Sequence, residues 1–290
     1  MKKAVIIIIV ILLGTGALAY PTISDYLARK NGSELIQEYA VNIAELDDET
    51  KSRMWDEAEK YNETLTGLIV RDPFAEGMGV DMPEAYRQAL SVEGIIGYVE
   101  IPAIDVFLPI YHGTGDNALN RGAGHLEGST LPIGGESRHS VITGHSGLVQ
   151  AKMFTDLTAL AEGDLFYIHV LGEILAYEVD TIIISEPQIV DDLMIVDGKD
   201  YCTLLTCTPY GVNSHRLLVR GERVAYSLEA KEAIRPATDS KADNPVARVA
   251  IITSAIMLFF IIVAVAVTRR KKRMQRCAFV PDQTVRQSVK

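Results

Sequence analysis

Residues 203–221 read TLLTCTPYGVNSHRLLVRG. Two short apolar runs, 203–207 and 216–220, flank a segment rich in turn-forming Thr, Pro, Gly, Asn and Ser, as in two strands and their connection. Cys207 closes the first run and Arg216 opens the second. Paired antiparallel, these strands bring both residues to one end of the pair, about 4.8 Å from backbone to backbone. A permanent cation there favours the thiolate and can stabilise an oxyanion. Acyl transfer at such a thiol also needs a base to move protons, and His145, in VITGHSG at 141–147, ends another strand-like run. Taken singly, a strand cysteine is most often inert core, a histidine after a strand a turn residue, and a strand-end arginine a solvated charge.

Outward from this stretch the same grammar continues. Segments 97–101, 106–111, 140–143, 165–170, 174–184 and 201–206 are rich in β-branched and aromatic residues, with Gly, Pro, Asp and Asn between them. Leu171-Gly172-Glu173 fits a hairpin turn, and a short helix is expected over 153–160. The predicted fold class is mainly β: a largely antiparallel, barrel-type domain. Upstream, Leu35, Ile36, Tyr39, Ile43, Leu46, Met54, Trp55, Ala58 and Tyr61 recur at helical spacing, as in a pair of packing helices. A loop carrying Asp72-Pro73-Phe74 follows, and residues 236–247 have the polar, proline-containing composition of a linker.

Both ends are apolar and then basic. Residues 4–13 are almost wholly aliphatic behind Lys2 and Lys3, and residues 249–267 precede Arg269, Arg270, Lys271, Lys272 and Arg273. The second run suits a membrane span, and positive flanks at both termini predict cytoplasmic ends with the middle outside. The first run fits either a retained anchor or a signal peptide cut after Ala17-Leu18-Ala19. Residues 21–247 carry 17 Lys and Arg against 37 Asp and Glu, which argues against a nucleic-acid partner. Cys202 and Cys207 lie five apart in one predicted strand and point to opposite faces, so no disulfide is expected between them. His112, His125, His139, His169 and His215 lack metal-type spacing around Cys207, so neither a metal nor another cofactor is predicted.

The run TLLTC with Arg216 nine residues after the cysteine resembles the sortase signature, and ITGHSG resembles that family's histidine segment, in the order His, Cys, Arg. GHLEGSTLPIGGESRHSVITGHSG and KMFTDLTALAEGDLFYI extend the resemblance over residues 97–223. It implies a sortase-type closed β-barrel and a cysteine transpeptidase, with Cys207 as nucleophile, His145 as acid/base and Arg216 as oxyanion or positioning cation. Cleavage would fall between Thr and Gly of an LPxTG-type sorting signal, through a thioester resolved by an amine. The helical extension, the second membrane helix and Asp72-Pro73-Phe74 resemble the pilus-building class C branch. That resemblance implies a lid in which Asp72 approaches Arg216 and Phe74 packs over Cys207. It also implies pilin subunits as partners, a pilin lysine as the amine, and the cell membrane of a Gram-positive bacterium as the location. One departure is Ser146, where many members carry arginine.

The implied organisation is a membrane anchor or signal peptide at 1–20, helical extension and lid at 21–80, and catalytic barrel at 81–235. A linker at 236–247, a transmembrane helix at 248–268 and a basic tail at 269–290 complete it. Residues 228–248 hold no LPxTG, and Leu131-Pro132-Ile133-Gly134-Gly135 lacks the threonine, so the chain reads as enzyme rather than substrate. Three other readings compete: a housekeeping-type sortase that anchors proteins to the cell wall, an L,D-transpeptidase, and a membrane-tethered adhesin or sensor with a structural thiol. The L,D-transpeptidase pattern Ser-x-Gly-Cys is absent, since Leu205-Thr206 precede Cys207.

Overall fold

The computed structural model describes residues 2–65, 71–75, 82–189, 191–229 and 251–270, the last apart from 252, 261, 264 and 268. The expected linker at 236–247 and the end of the basic tail lie outside these residues. The chain forms two compact units, one of Met1–Ile23 with Asp243–Lys290 and one of Ser24–Ala242.

Helix α1, Lys2–Glu45, runs without interruption through Pro21, so the expected junction at residue 20 falls inside a helix. Its stretch from Ile9 is long and apolar enough, by composition, to cross a membrane. The apolar helix Thr253–Val267 is shorter. Helix α2, Asp48–Glu63, starts where the Asp47 side chain accepts from the Thr50 amide at 2.6 Å, an N-cap that satisfies one orphan donor. Asp48 and Glu49 in its first turn and Lys60 in its last complement the helix dipole.

Two short helices, α3 (Glu84–Gln88) and α4 (Asp116–Leu119), accompany the barrel strands. These strands are β1 (Gly97–Ile101), β2 (Val106–His112), β3 (Ala123–His125), β4 (Arg138–Thr143), β5 (Leu165–Val170), β6 (Glu173–Ser185), β7 (Asp200–Thr208) and β8 (His215–Val224). They close in the order β1-β2-β3-β4-β7-β8-β6-β5. The barrel expectation holds, but β2–β3 and β4–β7 pair parallel, so the sheet is less antiparallel than its sequence pattern implied. The segment expected as a short helix is a 3-10 turn at Thr155–Ala159. Leu171 and Gly172 form the β5–β6 hairpin, both at positive φ (48° and 91°), as a two-residue turn matched to strand twist requires.

Alternation sorts the sheet into two faces. Ile142, Leu204 and Val219, paired in register, point into the barrel and join one large core with Val99, Ile110, Phe166 and Tyr177. Val141, Leu205 and Leu218 point the other way and form a smaller apolar cluster with Leu126 and Leu193, against which Ile183 and Phe74 pack. Helix α1 is latched to the barrel by Tyr39, whose hydroxyl donates to Ile96 O (3.0 Å) and accepts from Leu171 N (2.9 Å). Helix α2 is held by Asn62, which pairs with the Leu131 backbone in both directions (2.7 and 3.3 Å).

Candidate active site

The β7–β8 register places Cys207 opposite Arg216. Strands β4 and β7 run parallel with Thr143 opposite Leu205, and Gly144 N donates to Leu205 O at 3.0 Å. Two residues past Thr143, just beyond the end of β4, His145 reaches the level of Cys207. On the other flank β6 pairs with β8, with Ser185 opposite Arg216. Cys207, Arg216 and Ser185 thus lie in one transverse row on the outer, smaller-cluster face, and His145 extends it from the end of β4, its ring beside Phe74 on that face. A side chain at Gly144 would bring its Cβ within 2.7 Å of the Phe154 ring, so glycine lets the chain turn there and present His145.

Segment 71–75 covers this row. Asp72 grips Arg216 at both ends of its fork, with Nε donating to Oδ1 at 2.7 Å and Nη2 to Oδ2 at 2.8 Å. The remaining guanidinium nitrogen, Nη1, donates to the Asn213 and His215 carbonyls, each at 3.2 Å. The connection between β7 and β8 therefore fixes the cation from behind while Asp72 holds it from in front. The Phe74 ring lies 5.6 Å from the His145 ring and 5.0 Å from Arg216 Cζ, centroid to atom. Its ring thus contacts the two residues on either side of Cys207 in the row.

Burial raises the Cys207 thiol above its ordinary value; Arg216 pulls it down and Asp72 pushes it up again. Burial also lowers His145, offset in part by the Asp116 carboxylate at the start of α4. Burial opposes the charge of Arg216, but the Asp72 hydrogen bonds together with the negative charges of Cys207 and Asp72 outweigh it and raise its pKa. With segment 71–75 in place, the site favours a neutral thiol beside a neutral imidazole. Cys202 is fully buried, faces the barrel core with its thiol pushed well up, and forms no disulfide. The other histidines are accounted for structurally: His125 by Tyr86 and Thr130, His139 by Met194 and Thr203, His169 by Glu100, His112 by Ala89 and His215 by Ser214. Among the described residues no group of three or more His, Cys, Asp or Glu could hold a metal ion.

All five residues singled out from sequence lie together: His145, Cys207 and Arg216 in the row, Asp72 and Phe74 over it. Sequence reasoning missed Asp116, Ile183 and Ser185. Asp116 is an ordinary turn acid by pattern, and the two β6 residues reach the site only through the non-local pairing of β6 with β8.

An eight-stranded barrel with a cysteine and an arginine paired across β7 and β8, and a histidine beside them, defines a cysteine transpeptidase of the sortase type. Residues 99–224 match the sortase domain, and the chain belongs to the sortase family of Gram-positive, membrane-associated surface enzymes. Within that family its structural neighbours are pilus-related class C enzymes. Sortase C-1 of Streptococcus pneumoniae is 48% identical, with a TM-score of 0.64, over 67% of this chain and 100% of that one. Sortase C1 of pilus island 1 of Group B Streptococcus is 41% identical, with a TM-score of 0.63, over 68% and 94%. Sortase A of Bacillus anthracis is 26% identical over 157 residues, 52% of this chain and 71% of that protein.

Proposed function

We propose that this chain is a pilus-building sortase that cleaves an LPxTG-type sorting signal between Thr and Gly and transfers the threonyl group to a pilin lysine. The observation that carries the chemistry is the row of His145, Cys207 and Arg216 on one face of adjacent strands. In the first half-reaction Cys207 Sγ, as thiolate, attacks the threonine carbonyl. Negative charge gathers on that oxygen beside the Arg216 guanidinium. His145, as imidazolium, gives its proton to the departing glycine amine, and a thioester remains. In the second half-reaction neutral His145 takes a proton from the attacking lysine amine. The tetrahedral intermediate collapses, the thiolate leaves, and an isopeptide bond joins the two pilins.

In this reading segment 71–75 is a lid. Asp72 occupies the fork that an oxyanion or substrate carbonyl needs, and Phe74 covers the apolar patch of Leu205, Leu218 and Ile183. The leucine and proline of a sorting signal fit that patch once Phe74 leaves it. The pilus assignment is supported by this lid and by the identity to pilus sortases, which exceeds that to sortase A. The apolar stretch of α1 and the basic charge at both termini support membrane anchoring with the barrel outside the cell.

The test supplies the purified full chain in detergent with an LPxTG peptide and either a lysine-bearing pilin or a cell-wall amine donor. Mass spectrometry should find a threonyl adduct on Cys207, then an isopeptide to the pilin lysine, and neither in Cys207→Ala. Turnover by Cys207→Ala would refute the mechanism. Transfer to the cell-wall donor alone would make the enzyme a housekeeping sortase instead.

A further inference from the structure

Ser185, the last residue of β6, lies at the far end of the reactive row. It is paired with Arg216, which is paired with Cys207, so the three side chains project from the same face. It is only 8% exposed, and among the described residues its hydroxyl has no hydrogen-bond partner. The Thr143 hydroxyl, likewise buried and unpaired, lies on the Cys207 face, but only Ser185 of the two shares the row of Cys207. A buried hydroxyl left unpaired is costly, so one aimed into a site is a binding group awaiting its partner.

The direction in which substrate crosses the row follows from the chemistry already assigned. The leaving amine must take its proton from His145, so the part of the peptide after the scissile bond lies on the β4 side. The part before it crosses Arg216 towards β6. Cys207 to Ser185 spans two strand spacings, about 9.6 Å, and an extended peptide advances about 3.3 Å per residue. Ser185 therefore stands about three residues upstream of the scissile threonine, beside the leucine of an LPxTG signal. The next residue is proline, which has no N–H, so the open polar group at that bond is the leucine carbonyl.

We propose that Ser185 is a substrate-positioning residue whose hydroxyl donates to the leucine carbonyl of the sorting signal and fixes the register of the peptide across Arg216. The inference rests on the sorting-signal reading above. Because the hydroxyl is unpaired in the closed state, its removal leaves the fold intact, and Ser185→Ala melts at or above the parent temperature. The lost hydrogen bond lowers kcat/KM for an LPxTG peptide about five-fold. The loss appears in KM rather than kcat, since the bond forms in ground state and transition state alike. Ser185→Thr, which keeps the hydroxyl, retains most of the activity.

The decisive measurement is a cycle with the full chain in detergent and two peptides, one normal and one with a thioamide at the leucine carbonyl, a weak acceptor. Thioamide substitution should impair the parent about five-fold and leave Ser185→Ala nearly indifferent. Equal kcat/KM for parent and Ser185→Ala on the normal peptide, or equal sensitivity of both to the thioamide, overturns the assignment while the substrate reading stands. Failure of the parent to turn over either peptide refutes the substrate reading itself, and Ser185 as a signal-binding residue with it.

Discussion

Replacing Asp72 with alanine removes the carboxylate that holds both ends of the Arg216 fork at 2.7 and 2.8 Å. The side chains are 10% and 15% exposed, so solvent screens this pair little. Hydrogen bonds to a charged group contribute about 1.5–3 kcal/mol net. At about 1.4 kcal/mol per factor of ten, the open population of the lid rises roughly 10- to 150-fold. Alkylation of Cys207 by iodoacetamide reads this population directly when opening and closing are faster than the chemistry. Peptide mapping separates Cys207 from the core-facing Cys202. The same substitution removes the carboxylate that raises the thiol and leaves Arg216, which lowers it. The pH profile of alkylation should therefore reach its plateau at lower pH in Asp72→Ala than in the parent. An alkylation rate within two-fold of the parent (roughly 0.4 kcal/mol) would refute the lid assignment, because the pair would then contribute nothing to covering the sulfur.

Arg216→Lys keeps the charge but not the planar fork, and should lower kcat/KM at least about 100-fold in the peptide assay. Burial holds His125 down to about 3 and His139 to about 4, both neutral in the folded state. Their folded pKa values lie below the unfolded value of about 6.5, so their stabilisation is full above pH 6.5 and is lost as pH falls below it. Between pH 6 and pH 4 the pair should cost on average about 2.3 kcal/mol per pH unit, measured by urea unfolding with the single tryptophan, Trp55, as probe. Tyr39→Phe leaves Ile96 O and Leu171 N without their shared hydroxyl, and should destabilise the fold by about 1–3 kcal/mol in the same assay.

Local features of this fold were legible before the structure, and non-local ones were not. The Leu171-Gly172 turn and the strand on each side of it follow from turn chemistry and β-branched residues. The meeting of Cys207 and Arg216 was also readable, because β7 and β8 are consecutive and a short connection leaves few registers. His145 is different. Its parallel pairing beside β7 spans 62 residues, and only the family resemblance placed it at the sulfur. Strand β3, Ala123–His125, escaped notice because Ala, Gly and His carry little strand propensity, and its parallel neighbour β2 supplies the reason for its conformation. The boundary expected at residue 20 left no mark on the backbone, since α1 continues through Pro21. Ser185 had no signal of its own, since a serine before Glu186-Pro187 looks like the start of a loop.

The parallel join of β4 to β7 has a consequence for how the protein becomes reactive. Neither strand can acquire its partner from a neighbouring hairpin, because the β5–β6 hairpin separates them in the chain. Such distant pairings form late, after loop closure has been overcome. A partly folded chain can carry the β7–β8 pair and a thiol near a cation, but not the histidine. The parallel β4–β7 pairing thus completes the site, and the nucleophile acquires its proton carrier only once that pairing has formed.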